Sequence, residues 1–429
     1  MQNKKKFPMY KWCEDLFPIC RSITGPGIKK TLNYFEKINP DFKRIKFKSR
    51  SQVFDWKIPD EWHIDDAYIQ HESGIKFAEF KKNNLHLVNY SMSVDKILTL
   101  NQLKKKIYTN KNLKNAIPYV TSYYKKSWGF CMKYSEYTKL PKGNYKVYVS
   151  SKFKKGNLDL SHALIKGETK KEIFFSSYVC HPSMANNELS GPVVLNALLS
   201  YIKKNFKKTK FSYRFVLLPE TIGSIAYLSK YKKMLQNNVF AGYVLSCLGD
   251  DGNFSIVNGP NETCKSSRFL KKILEKYDFK NYNFLERGSD ERQYCSPNIN
   301  LPVTLFCRSK FDRYKEYHSS LDNLNLISQK NLQGSLDILI KLIHFFENST
   351  FPKNKAICEP RLSKRGLYPT ISKFDSKNVL PKKLQLRTNF LAYANGEMTS
   401  LEIANKINQK FEDVKKEEKI LINKKIVEI

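Results

Sequence analysis

Apolar and polar positions change rhythm three times along the chain. Between residues 10 and 37 apolar side chains recur at helical spacing, and GPG at 25–27 punctuates them before IKKTLNYFEKI. From about residue 52 the texture becomes short β-rich runs broken by polar turns. VFDWKIPDEWHIDDAYIQ, IKFAEF and LHLVNYSMSV begin this block, and GNYKVYVSSKF near 152 ends it. From residue 171 continuous apolar runs of strand length alternate with helical stretches. EIFFSSYVC (172–180), YRFVLLP (213–219), VFAGYVLSC (239–247) and LPVTLFC (301–307) are the predicted buried strands. PVVLNALLSYIKKNF, GSIAYLSKYKKMLQN, CKSSRFLKKILEKY and ISQKNLQGSLDILIKLIHFFENS are the predicted helices. The alternation predicts an α/β class, with a mostly parallel (mixed) sheet and helices on both faces.

Beyond Pro352 a loop-like stretch, PKNKAICEPRLSKRGLYPTI, separates off a tail. The tail reads as helix, turn, helix with Leu401, Ala404 and Ile407 on one face, then a longer helix and a short closing strand, which fits a winged-helix module. The expected domains are therefore residues 1–52 (N-terminal part of the core), 53–152 (an inserted, small, separate β-rich unit), 153–350 (the α/β core) and 360–429 (the winged helix). No internal repeat or low-complexity tract is present.

Composition alters this picture little. The 429 residues exceed the usual single-domain range, which agrees with several domains. The net charge of +35 is mostly Lys scattered over the whole length, not a basic patch, so nucleic acid is not the expected partner. Nine cysteines without a CxxC pair predict reduced thiols and argue against a disulfide framework or zinc knuckle. MQNKKKFPMYKWCEDLFPIC lacks the apolar run of a secretory signal, and no run approaches the length of a membrane span. A soluble cytoplasmic protein without a membrane partner is the expectation, and a homo-oligomer is compatible with it.

The chemistry clusters at predicted strand ends, where ligands of open α/β sheets bind. His181, Glu220 and the turn from Ser246 to Asp250 each follow directly on a predicted strand and should meet on one rim. A hydrolytic zinc takes about three His and carboxylate ligands and keeps a position for water, with a carboxylate nearby to move the proton. Of seven histidines, only His181 and His318 sit in loops built to present a side chain, and Glu188 can swing back toward His181. Each residue has a plainer reading. A lone loop histidine is commonly a hydrogen-bonded surface residue, Glu220 is placed to cap the helix near Gly223, and Asp290 with Arg292 is placed to pair within a loop. Their joint placement at successive strand ends favours a site.

The order and wording of these segments resemble the zinc-dependent exopeptidases of the aminopeptidase clan. The matching pieces are His181, ANNELSG (185–191), PETIGS (219–224) and YHSSLDN (317–323). More closely, the whole chain is similar to a group of bacterial aminopeptidase-like proteins with an inserted β-rich domain and a C-terminal winged helix, often linked to surface-polysaccharide biosynthesis loci. RSITGPG, IPYVTSYY, WGFC, CHPSMANNELSGP, RGSDERQYCSP and YHSSLD carry that resemblance. It implies a zinc-exopeptidase-like core and a zinc-dependent hydrolase of small peptides or of aminoacylated or N-acylated substrates.

The departures from the two-metal pattern are equally definite. Asn187 stands where the clan has a bridging aspartate, Ser246 or Cys247 where it has another, and Thr221 follows Glu220 where the clan has a second glutamate. What the resemblance implies is therefore one zinc held by His181, Glu188 and His318, with Glu220 as general base. Arg292 would help the oxyanion, and Asp290 would meet a substrate ammonium. The competing readings are a catalytically inactive binding protein on the same scaffold and a regulator working through the winged helix.

Overall fold

In the computed structural model, which describes residues 7–368 and 381–429, each continuous apolar run forms a strand covered on both sides. The end of the expected connecting loop and residues 369–380 of the expected winged-helix segment lie outside the described residues. The chain divides into two compact units, 1–343 and 344–429.

The first unit opens with helices α1 (Met9–Leu16) and α2 (Pro26–Ile38). Pro26 begins α2, where its missing N–H is no loss. Strand β1 (Lys43–Lys48) leads to the inserted sheet, made of β2 (Glu61–His71), β3 (Lys76–Phe77), β4 (Val94–Thr99) and β5 (Asn144–Lys154) in the order β3-β2-β5-β4, all antiparallel. The chain then returns through β6 (Asn157–Ile165), β7 (Glu172–Tyr178), β8 (Ser212–Leu218), β9 (Val239–Leu245), β10 (Phe254–Val257), β11 (Phe279–Tyr282) and β12 (Val303–Cys307). With β1 these form one eight-stranded sheet in the order β1-β6-β8-β7-β9-β12-β10-β11. Its centre, β8-β7-β9-β12, is parallel; β1 with β6, β6 with β8 and β12 with β10 are antiparallel and β10 with β11 is parallel, so the sheet is mixed.

Every residue of β7, β8 and β9 is buried, as a central strand between helical layers requires. Helices α3 (Ser190–Asn205), α4 (Ile222–Asn238), α5 (Lys265–Leu274) and α6 (Gln329–Asn348) follow these strands. α3 packs on β7, β8 and β9, and α5 on β9, β10 and β12. Gly191 lets the first turn of α3 lie against the end of β9, because a Cβ there would run into the Leu245 carbonyl.

The inserted sheet does not stand as a separate unit. Its apolar face (Trp62, Ala67, Ile69, Tyr145, Val147, Val149) shares one continuous cluster with Ile23, Cys180, Ile222 and Ile225 of the core. A sheet with one apolar face must bury it, and here the peptidase-like core supplies the surface.

The second unit carries α7 (Lys382–Tyr393), α8 (Ser400–Lys406), α9 (Phe411–Asn423) and the antiparallel pair β13 (Lys353–Asn354) and β14 (Val427–Glu428). Thr399 and Glu402 form a reciprocal capping box at the start of α8. The buried face of α8 is Ile403 and Ala404, with Ile407 partly buried, whereas Leu401 points outward. The expected face was therefore one position off at Leu401. No helix among the described residues is long and apolar enough to cross a membrane.

Two buried ion pairs tie these layers. Arg214 on β8 grips Glu172 on β7 with Nε–Oε2 of 2.6 Å and Nη2–Oε1 of 2.9 Å, and Arg387 pairs with Glu417 in the second unit. Removing one partner strands the other charge in a dry interior. Glu172→Ala is expected to lower unfolding stability by about 3–5 kcal/mol, and Glu172→Leu combined with Arg214→Met to recover most of that loss, as read by urea denaturation. Equal losses in the single and double variants would contradict this account.

Candidate functional site

His181 lies three residues beyond the end of β7 and is locked from behind. Glu188 accepts the backbone N–H of His181 at 2.7 Å with Oε1 and faces its Nδ1 at 2.5 Å with Oε2. A carboxylate only accepts, so the Nδ1 proton points to Glu188, and Nε2 lies on the Glu220 side. Burial opposes charge on His181, but Glu188 beside it outweighs the burial and raises the pKa. Arg21, fully buried, donates Nε to the His181 carbonyl at 2.9 Å and Nη1 to the Leu16 carbonyl at 2.6 Å. Its positive charge also acts on Glu188.

Both oxygens of Glu188 are thus committed to His181. The expectation of Glu188 as a direct ligand beside two histidines meets a different arrangement, in which it orients the ring. A carboxylate holding the far nitrogen of a metal-binding histidine is a recurrent second partner in such centres.

The loop that carries Glu188 is wrapped around one side chain from elsewhere. Asp322 Oδ1 accepts from the N–H groups of Ala185 at 3.0 Å and Asn186 at 2.6 Å, and Oδ2 accepts from Asn187 N–H at 3.0 Å and the Tyr314 hydroxyl at 2.9 Å. Asp250 fixes the same loop by accepting from Asn186 Nδ2 at 2.6 Å. Consecutive N–H groups around an anion form a nest, which is how a loop without regular structure is held rigid.

His318, four residues before Asp322, has a left-handed backbone (φ +52°). Tyr317 stacks on its ring at 3.9 Å between centroids. The inserted segment reaches the same loop: Tyr119 N–H donates to the His318 carbonyl at 2.9 Å, and Ile117 N–H to Ser320 Oγ at 2.9 Å. The Tyr119 ring then lies 5.0 Å from His181 and 5.2 Å from His318, while the two imidazoles are 5.4 Å apart between centroids. Burial, and then the neighbouring His181, push His318 down to about 3, so its ring is neutral and keeps a free lone pair.

Glu220 follows β8 and turns toward the same point. Its Oε2 is 3.7 Å from His181 Nε2, and its Oε1 accepts from Ser289 Oγ at 2.8 Å. Thr221, with φ +63°, makes the sharp turn into α4. Asp290 Oδ1 accepts from Thr221 N–H at 2.8 Å and Ser224 Oγ at 2.7 Å, and Arg292 Nη2 donates to Thr221 Oγ1 at 2.7 Å. Burial, then the nearby Glu220, push Asp290 up to about 8. Asp290 and Arg292 therefore brace the Glu220–Thr221 turn. Neither lines the cavity in which the sequence placed them as substrate contacts.

That cavity, of about 380 Å³, is lined by Cys180, His181, Glu220 and His318 together with Ile23, Trp56, Tyr119, Thr121, Tyr123, Tyr124, Thr221 and Ile222. Ligand atoms of Cys180, His181 and Glu188 also lie within 4.8 Å of one another, the one such group among the described residues. The Cys180 thiol is pushed up to about 12 by burial and accepts the Glu220 N–H at 3.3 Å. Two imidazoles with carboxylates beside them suit a metal cofactor of the zinc type. Beside this group Asn187, Tyr178 and Ser246 form a neutral network. Asn187 Nδ2 donates to the Tyr178 hydroxyl at 3.1 Å, the Tyr178 and Ser246 hydroxyls meet at 2.5 Å, and Ser246 Oγ donates to the Asn187 carbonyl at 3.1 Å.

Arg21, Tyr119 and Asp322 are the supports that sequence reasoning left without a role, although each lies in a quoted motif: RSITGPG, IPYVTSYY and YHSSLD.

Comparison with known proteins identifies the family and the fold. Residues 10–349 match the domain of unknown function DUF4910, and residues 349–429 match a winged helix-turn-helix. A Clostridium acetobutylicum protein, provisionally named as a polysaccharide biosynthesis protein with an aminopeptidase-like domain, is 40% identical over 368 residues, covering 85% of this chain and 83% of that one. A crystal structure from Clostridium acetobutylicum, provisionally named as a peptidase, superposes with a TM-score of 0.80 at 35% identity over 98% of this chain and 96% of that one. The Bacillus subtilis zinc aminopeptidase BSAP shares the fold, with a TM-score of 0.57 at 13% identity over 78% of this chain and 93% of that one.

Asp322→Asn replaces an acceptor-only group by one whose amide nitrogen faces N–H or O–H donors. It is expected to cost about 1–3 kcal/mol in urea denaturation and to expose the 181–189 loop to limited proteolysis. An unchanged digestion pattern would show that the loop is held by other contacts.

Proposed function

The chain belongs to the DUF4910 family and carries the zinc-aminopeptidase fold, and from that premise we propose that it is a zinc-dependent amide hydrolase. The observation that carries the reading is the meeting of His181 Nε2, the neutral His318 ring and Glu220 on one cavity wall, from three separate strand ends. His181 and His318 would hold a single ion through ring nitrogens, with Glu188 fixing the tautomer of His181 from behind. Such an ion supplies Lewis acidity toward the amide carbonyl and the attacking water.

The remaining work falls to the chain itself. Glu220 takes the proton from water as its oxygen bonds to the acyl carbon, and returns a proton to the amine as the C–N bond breaks. Ser289 holds Glu220 Oε1, so Oε2 is the oxygen that moves the proton. Burial of the cavity floor excludes bulk water around the reacting amide, and Tyr119 spaces the two imidazoles. The substrate is a small peptide or an aminoacylated or N-acylated compound. The name of the Clostridium acetobutylicum relative supports a setting in polysaccharide biosynthesis.

A binding protein without catalysis is the competing reading, favoured by the neutral network around Asn187. Metal analysis separates the two. Purified protein is expected to hold about one zinc per chain, lost in His181→Ala and in His318→Ala. Glu220→Gln is expected to keep the ion while lowering turnover of aminoacyl amides or N-acylated sugars by about 10²–10⁴-fold. Metal content indifferent to both histidines, or full turnover in Glu220→Gln, would overturn the assignment.

A further inference from the structure

The cavity has a floor and a rim of different character. Cys180 is 1% exposed and His181 6%, whereas Trp56 is 39% exposed and Tyr124 53%. These two rim rings stand at 70° with centroids 5.6 Å apart, a T-shaped corner. Trp56 projects from the short hairpin pairing Val53 with Trp56, and Tyr124 sits on a left-handed backbone with φ +64°. A non-glycine residue in that region is strained, and such strain clusters where a side chain must be aimed. Two aromatic rings left open to water side by side at a cavity mouth form a small apolar patch suited to a ligand.

Charge narrows the occupant. Among the described residues no Lys or Arg lines this cavity, and Glu220 is the single carboxylate on its wall. Away from the ion assigned to the histidines, a phosphate or a terminal carboxylate therefore finds no cation on the rim, and a terminal ammonium finds only the group assigned to proton transfer. What the wall does offer is hydroxyls (Thr121, Thr221 and the Tyr119 and Tyr123 pair, 3.0 Å apart) and the open rings of the corner. The electron-rich face of an aromatic ring attracts C–H groups, and hydroxyls match hydroxyls.

We propose that Trp56 and Tyr124 form the subsite for a neutral sugar ring, so that the amide cleaved is one whose amine is borne on a saccharide. This rests on the hydrolase reading for the chemistry, but the subsite itself is independent of turnover.

The test is a ligand-observed NMR titration of the full-length Glu220→Gln protein with N-acetylglucosamine and its disaccharide, against leucinamide and phenylalaninamide. Saturable saccharide binding is expected, weakened about tenfold or more by Trp56→Ala and by Tyr124→Ala and retained in Tyr124→Phe, which keeps the ring. Both alanine variants are expected to melt as the parent does, since the removed rings are exposed. No saturable response to either saccharide, a response unchanged in both alanine variants, or saturation by phenylalaninamide alone overturns the proposal. Absence of metal or of turnover in the unmodified protein would sink the hydrolase reading and leave this titration standing, because binding is read without either.

Discussion

One carboxylate joins the two loops that bear the histidines. Asp322 belongs to the His318 loop, yet its oxygens collect the N–H groups of residues 185–187 in the loop that ends at Glu188. Through that grip the position of Glu188, and with it the tautomer and direction of His181, is referred to the same point as His318. Burial pushes Asp322 up to about 6 against the pull of four donors, so the ionised form is held by hydrogen bonds alone, with no cation beside it. Arg21 does the matching work on the opposite side, gripping the His181 carbonyl. A cation site needs ligands fixed before the ion arrives, and these two buried charges fix them.

The sheet was legible because its central strands are covered on both faces, which leaves the plain signature of continuous apolar runs. His181, Glu220 and His318 were legible for a topological reason, since each follows a strand end or ends the loop after one. The direction of a side chain was not. Seven residues of spacing bring Glu188 back to His181, but nothing in that spacing says whether its oxygens face the cavity or the backbone and Nδ1 of His181. Asp290 and Arg292, expected at a substrate ammonium and an oxyanion, hydrogen-bond the Glu220–Thr221 turn in this structure, a contact that their spacing in the sequence does not indicate. Arg21 and Asp322 act across separations of 160 and 135–137 residues, beyond any local pattern. At Leu401, a helix of seven residues gave too few positions to set its buried face.

Asn187, Tyr178 and Ser246 hydrogen-bond one another in a set of neutral groups behind the cavity. Within that set Asn187 Oδ1 is left buried without a partner. The set adds no charge to the site, so among the described residues Glu220 is the carboxylate on the cavity wall.

The pairing of residues 117–119 with 318–320 has a consequence for biosynthesis. Tyr119 meets both imidazoles only after a contact between Ile117 and Ser320, 203 positions apart, has closed. Every earlier stretch emerges from the ribosome with half a cavity, and contacts of such long reach form late because loop closure precedes their reward. The cavity is therefore completed late in the synthesis of the first unit, and a chain ending before His318 lacks the second ring that Tyr119 meets.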